Sequence, residues 1–448
     1  MPLLRDERWP FARLIPLTTS TGVEAKERNA ASALLAVLSH VDEFGRSLLK
    51  PLGAPAGRIE AFVETQMKAE NGRIIRPDGL IAVTRAGKTW WALVECKIGD
   101  QPLTTEQMEM YLDLARFSGI DAVLSISNHF TTRSSDYPIP IDKKKLKKVA
   151  IHHWSWVRVV TEAEVQKQFR GVKDPDQAYL LDELIRYLSD QRSGVVQFSD
   201  MGPGWTKVRD GARVRTLRKT DPDVAAVANR WDELVRFLSL EMTKDLGRDV
   251  RELQRRTEST AAARHQALKD SLCNSGELYT ELQIPDTAGP LGIVADLSER
   301  QIRLFTDLKA PEEGKSRGRI SWLLRQLQKA PPDLTIEARI AHLSTTLSAP
   351  LGQVRDDPAL LMPSDRTRDI RGFRVTLTRD LGLNRAAGRG SFIDSVVLNV
   401  KAYYRDVLQQ LIAWKPKAPK LRTGGPIEER AVEAIEPVAD AISAATED

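Results

Sequence analysis

Arg76-Pro77-Asp78-Gly79-Leu80, followed after a short interval by Ala92-Leu93-Val94-Glu95-Cys96-Lys97, is the stretch on which the reading of this chain turns. Residues two apart in a strand point to one face, roughly 6.5–7 Å from each other. Glu95 and Lys97 therefore leave one side, while Ala92, Val94, Cys96 and Ile98 form an apolar other side. Upstream, Ile75, Gly79, Ile81 and Val83 alternate with Arg76, Asp78 and Leu80, so the Asp78 carboxylate can join the side of Glu95 and Lys97. Arg85-Ala86-Gly87-Lys88 between them reads as a hairpin turn. Two carboxylates and one ammonium thus share one face of a strand whose other face is core.

Working outward, residues 21–49 read as one amphipathic helix, with Ala31, Leu34, Leu38 and Val41 at spacings of three and four and Glu24 and Glu27 on the same stripe. Strand-like runs follow at 59–67, 74–83 and 90–98, then a helix at 105–117 and a strand at 122–127. The order is αβββαβ. A further strand is expected from Ala150 to Val160, carrying Trp154 and Trp156.

These residues resemble the PD-(D/E)XK nuclease superfamily, which includes restriction endonucleases and RecB-like repair nucleases. Pro77-Asp78 and Glu95-Cys96-Lys97 match its motif, and Gln107-Met108-Glu109-Met110-Tyr111 matches the Gln-x-x-x-Tyr of the RecB-like branch. A metal-binding histidine upstream, expected of that branch, is not evident. The resemblance covers about residues 20–160. It implies a restriction-endonuclease-like αβββαβ core with a mixed sheet, and a Mg²⁺- or Mn²⁺-dependent nuclease acting on DNA, in defence against foreign DNA or in repair. It implies catalytic roles for Asp78, Glu95, Lys97, Gln107 and Tyr111, with a helix glutamate, Glu27, added to the site.

The chemistry is consistent with the residue types. Mg²⁺ prefers hard oxygen ligands and keeps several waters, so Asp78, Glu95 and the carbonyl of Cys96 form a partial shell, with Glu27 or Glu64 as further carboxylates. Lys97 supplies a compact positive charge for the attacking water and the phosphate. Plainer roles compete for several of these. Glu27 also reads as a surface acid in a helix's first turns. Gln107 completes a Thr-x-x-Gln capping box with Thr104, and Tyr111 can pack with Met108 and Ala115. His152 and His153 have no third ligand at metal spacing and read as structural.

A chain of 448 residues suggests about two or three domains. The expected division is a nuclease-like domain over 1–160, a helical linker over 161–275, an α+β domain over 276–415 and a tail without core pattern over 416–448. In the linker, 223–272 reads as one long helix or a pair with Gly247 as the break. No run reaches the ~18 apolar residues that span a bilayer, and Arg5, Asp6, Glu7 and Arg8 leave no signal-peptide core. Cys96 and Cys273 are too few for a disulfide framework. A cytoplasmic protein is expected. A net charge of +5, from 66 basic and 61 acidic residues, does not by itself mark nucleic-acid binding. Lys143, Lys144, Lys145, Lys147 and Lys148 offer a local phosphate-contacting cluster or a solvated loop. The alternative function is a catalytically silent nuclease fold used for DNA binding or assembly. A third reading makes the C-terminal domain a ligand or partner sensor or a homo-oligomer contact.

Overall fold

The computed structural model describes residues 6, 9–15, 22–99, 101–131, 137–195, 198–365 and 367–415. The expected tail over 416–448 lies outside the described residues. The architecture is mixed α/β, and Met1–Trp414 form one compact unit.

The chain enters through α1 (Val23–His40) and α2 (Asp42–Leu49). The single helix expected over 21–49 is broken, because Val41 adopts an extended conformation (φ −99°, ψ 92°). Asp42 and Glu43 then favour a new helix start through the helix dipole. The corner is tight. A Cβ on Gly45 would lie 2.2 Å from the Leu38 carbonyl oxygen and 2.7 Å from Ile59 Cδ1. Gly45→Ala is therefore expected to destabilise the chain by about 1–3 kcal/mol, read as a lowered unfolding temperature. An unchanged temperature would show that this corner can open freely.

Next come β1 (Arg58–Val63), the two-residue strands β2 (Met67–Lys68) and β3 (Ile74–Ile75), then β4 (Gly79–Arg85) and β5 (Lys88–Cys96). Ala86 and Gly87 at the β4–β5 turn both have positive φ (47° and 77°), the mirror-image turn that matches strand twist. After α3 (Thr105–Ser118) the chain adds β6 (Ala122–Ser127) and β7 (Ala150–Ser155). The five-stranded sheet has the order β1-β4-β5-β6-β7, antiparallel up to β5 and parallel beyond it. One face carries Ile81, Val83, Ala92, Val94 and Cys96 against α1. The opposite face carries Leu80, Ala82, Trp91 and Leu93 against Met108, Tyr111 and Leu112 of α3.

The strand expected to run from Ala150 to Val160 stops at Ser155. There Ser155 Oγ accepts the Arg158 N–H at 3.2 Å and caps α4 (Trp156–Val165), which continues as a π-helical turn over Gln166–Arg170. Val157, Val159 and Val160 are β-branched and favour a strand locally, but Val159 is buried against the α1 side of the sheet. Next are α5 (Pro175–Ser189), α6 (Trp205–Arg213) and α7 (Pro222–Leu246). Gly247 closes α7 in the left-handed conformation (φ 63°).

Then β8 (Arg251–Glu252) and α8 (Ala261–Ser275) lead into a second sheet. Besides β8, its strands are β9 (Glu277–Gln283), β10 (Leu291–Asp296), β11 (Gln301–Lys309), β12 (Thr335–Ile340), β13 (Thr346–Pro350) and β14 (Ile370–Asp380). Three helices accompany them, α9 (Ser316–Gln326), α10 (Leu351–Asp356) and α11 (Phe392–Asp406). The sheet is antiparallel, in the order β13-β12-β14-β11-β10-β9-β8. Leu304, Ile336 and Val375 lie in the core, while Asp307, Arg339 and Arg374 pair on the half-buried side. Phe130 and Val157 from the first half belong to this second core. None of the described helices is long and apolar enough to cross a membrane.

Candidate active site

Asp78 ends the approach to β4, and Glu95 and Lys97 stand at the end of β5. Asp78 Oδ2 accepts the Cys96 N–H at 2.8 Å, which ties the first carboxylate to the strand that carries the second. Lys97 Nζ lies 2.8 Å from Glu95 Oε1 and 3.5 Å from Glu27 Oε2. Glu27 also accepts the Ile98 N–H through Oε1 at 3.3 Å. Its surface-acid reading is therefore replaced: Glu27 is buried, and α1 delivers it across the end of the sheet.

Glu95 is held from the other side by α3. Gln107 Nε2 donates to Oε1 at 2.7 Å and the Tyr111 hydroxyl donates to Oε2 at 2.8 Å. Thr104 Oγ1 accepts the Gln107 N–H at 3.3 Å, so the cap forms through backbone while the Gln107 side chain serves Glu95. Tyr111 does two things at once, packing its ring with Met108 and Ala115 and directing its hydroxyl to the carboxylate. Replacing it with phenylalanine removes one bond to a buried charged oxygen, typically about 1.5–3 kcal/mol. Tyr111→Phe should lower the unfolding temperature by a few degrees and shift Glu95 enough to slow any reaction that uses it; unchanged stability and rate would reduce Tyr111 to packing.

The electrostatics follow from crowding acids at a buried strand end. Burial, then Glu95 and more weakly Glu27, push the Asp78 carboxyl up to about 8, against the opposing Cys96 N–H and Lys97. Burial disfavours the Lys97 ammonium, but Glu95, Asp78 and Glu27 outweigh it and hold its pKa above the ordinary value. Burial and Glu95 likewise raise Tyr111, keeping it a neutral donor.

The remaining expected residues are placed differently. Glu64 has positive φ (51°) and pairs with Arg28 at 3.2 Å, with its side chain 58% exposed. It shares with Asp78 the wall of a cavity of about 440 Å³, lined also by Arg13, Arg28 and Arg76. The Cys96 thiol faces the apolar core, and burial pushes its pKa up; the residue reaches Asp78 through its backbone N–H. In the lysine cluster, Lys145 is taken up by Asp113 (2.8 Å) and Glu109 (3.4 Å). The cluster precedes β7, and Ala150 aligns through Ala122 with Ala92, whereas Glu95 aligns with Ser125 and His153, further along the strands. The start of β7 thus lies at the end of the sheet away from Glu95, while Lys145 is held along α3. His153 contacts Ser125 Oγ (2.9 Å) and the His129 carbonyl (3.0 Å), and burial lowers it to about 4, which makes it a neutral structural group.

Trp156 is a further participant that its position in sequence does not reveal. Its indole N–H donates to the Lys97 carbonyl at 2.8 Å, so the start of α4 steadies the backbone of the lysine. Arg13 and Arg28 are likewise brought to the site only by folding.

Comparison with family models, with curated proteins and with solved structures finds no match for this chain.

Proposed function

We propose that the chain is a metal-dependent nuclease that hydrolyses phosphodiester bonds in DNA. The observation that carries this reading is the convergence of Asp78, Glu95 and Lys97 at one strand end, with Glu95 held through both oxygens. A purely structural ion pair does not need a second buried carboxylate beside it.

The residues suit a small hard cation. Among the described residues no three His, Cys, Asp or Glu side chains form a ready-made metal cluster. Mg²⁺, however, usually takes only one or two protein carboxylates and completes its shell with water and substrate phosphate. Asp78 and Glu95 are that pair; burial first and the Glu95 charge second hold the Asp78 carboxyl up, a cost that a bound cation would relieve. Mg²⁺ or Mn²⁺, when bound, supplies charge neutralisation at the phosphate and a more acidic water.

The chain's own groups do the positioning. Lys97 places an ammonium beside Glu95, where it can orient the attacking water and offset charge developing on the phosphate. Gln107 and Tyr111 keep the Glu95 oxygens in place, and Glu27 holds Lys97 from the α1 side. Arg13, Arg28 and Arg76 line the cavity next to Asp78 and give the flanking backbone phosphates a cationic wall.

The alternative, a silent nuclease fold, predicts DNA binding without cleavage. Incubating the protein with supercoiled circular and linear DNA, with Mg²⁺, Mn²⁺ or EDTA, separates the two readings. Nicking or shortening that requires the metal supports the proposal. Cleavage in EDTA, or none with either metal, would overturn it.

A further inference from the structure

A second cavity lies away from Asp78 and Glu95, between elements of the first and second halves of the chain. It measures about 630 Å³. One wall comes from α2 and α4, the other from α7, Gly247 and the segment around β8. Four arginines face it: Arg158, Arg170, Arg236 and Arg251.

The acids on the same walls do not neutralise all four. Arg170 is taken by Glu162 and Arg251 by Asp249, at 2.7 Å from its Nε. Glu252 is turned toward Arg264 at 3.6 Å. Among the described residues, neither the Arg158 nor the Arg236 guanidinium has a carboxylate within ion-pair distance. Both are partly buried, and burial lowers both from the ordinary arginine value. Glu162 and Asp249 act on Arg158, and Asp249 and Glu252 on Arg236, without a direct ion pair; four guanidiniums against three carboxylates leave the cavity wall net cationic, which a bound anion would offset. Guanidinium groups present planar forks that match phosphate oxygens. The volume lies within the range of about 300–1,000 Å³ typical of small-molecule sites.

We propose that this cavity binds a small phosphate-bearing ligand of nucleotide size, with Arg158 from α4 and Arg236 from α7 gripping the phosphate from opposite halves of the chain. The inference stands apart from the nuclease reading, since none of its residues belongs to the site around Glu95.

The test is titration of the full chain with inorganic pyrophosphate in EDTA, followed by calorimetry and thermal unfolding. One equivalent should bind and raise the unfolding temperature. Arg158→Gln with Arg236→Gln should weaken binding by roughly tenfold or more, as expected for lost charged hydrogen bonds. Thermal unfolding without pyrophosphate checks that this variant is folded; Arg236→Lys, a milder change, serves if the double variant is not. Asp78→Asn should bind pyrophosphate normally. Absence of binding up to millimolar pyrophosphate, or undiminished binding by the arginine variants, would overturn the proposal. Displacement of pyrophosphate by a short DNA duplex, lost in the same variants, would assign the cavity to substrate backbone and also overturn it.

Discussion

Lys97→Ala is expected to lower metal-dependent DNA cleavage by roughly a hundred- to a thousandfold, the usual consequence of removing one preorganised group that meets transition-state charge. The ammonium lies 2.8 Å from Glu95 and 3.5 Å from Glu27, so its removal leaves two buried acids without their cation. In EDTA the variant should therefore unfold at a lower temperature than the parent. Mn²⁺ should restore much of that loss, because a divalent ion can take over the neutralising role at Asp78 and Glu95. Cleavage at the parental rate would remove Lys97 from the mechanism. Loss of Mn²⁺ binding together with cleavage would make the lysine a support of the site.

Asp78→Asn should have opposite effects on stability and on activity. The Asp78 carboxyl is pushed to about 8 in the folded chain, against an ordinary value of 3.8. Between those values the folded state holds a proton that the unfolded state has released, so stability falls as pH rises through that interval. The contribution is complete below about pH 4 and lost above about pH 8. Asparagine cannot ionise, yet its carbonyl can still accept the Cys96 N–H. In EDTA at pH 8.5 the variant should be more stable than the parent, on the order of 2 kcal/mol after allowing for screening by water in the adjoining cavity. The difference should close toward pH 4. Adding Mn²⁺ should reverse the order at pH 8.5, since the parent alone gains the full binding energy. Cleavage by Asp78→Asn should be lost throughout. A stability gap that does not vary with pH would show that this carboxyl ionises normally.

Much of the first half is legible in the sequence, because strand periodicity is local. The two-residue repeat from Ala92 to Ile98 assigns Glu95 and Lys97 to one face and Val94 and Cys96 to the other, and the structure keeps that division. The Arg85–Lys88 turn, β6 and the Gly247 break are similarly local signals. In the second half the alternation of Ile302, Leu304 and Leu308, of Ile336, Ala338 and Ile340, and of Phe373, Val375 and Leu377 marks β11, β12 and β14, whereas β8, β9 and β13 escape it. Neither Glu277–Gln283 nor Thr346–Pro350 carries an uninterrupted apolar repeat; β9 includes Thr280 on its buried side, and β13 is an edge strand paired only with β12.

What the sequence alone determined is which side chains share a strand face or a helix turn: Glu95 with Lys97, and Gln107 with Tyr111. Only the tertiary structure decided what meets them. Glu27 reaches Lys97 across 70 residues, Trp156 reaches the Lys97 carbonyl across 59, and Tyr111 spans from α3 to β5. It also turned Glu64 aside to Arg28 and bent the chain at Ser155 into a helix. The physical reason is that periodicity acts through neighbouring peptide units, whereas these contacts arise when α1, α3 and α4 bury their apolar sides against the same sheet. Burying those sides brings polar groups distant in sequence to one strand end, where they must pair or remain unsatisfied.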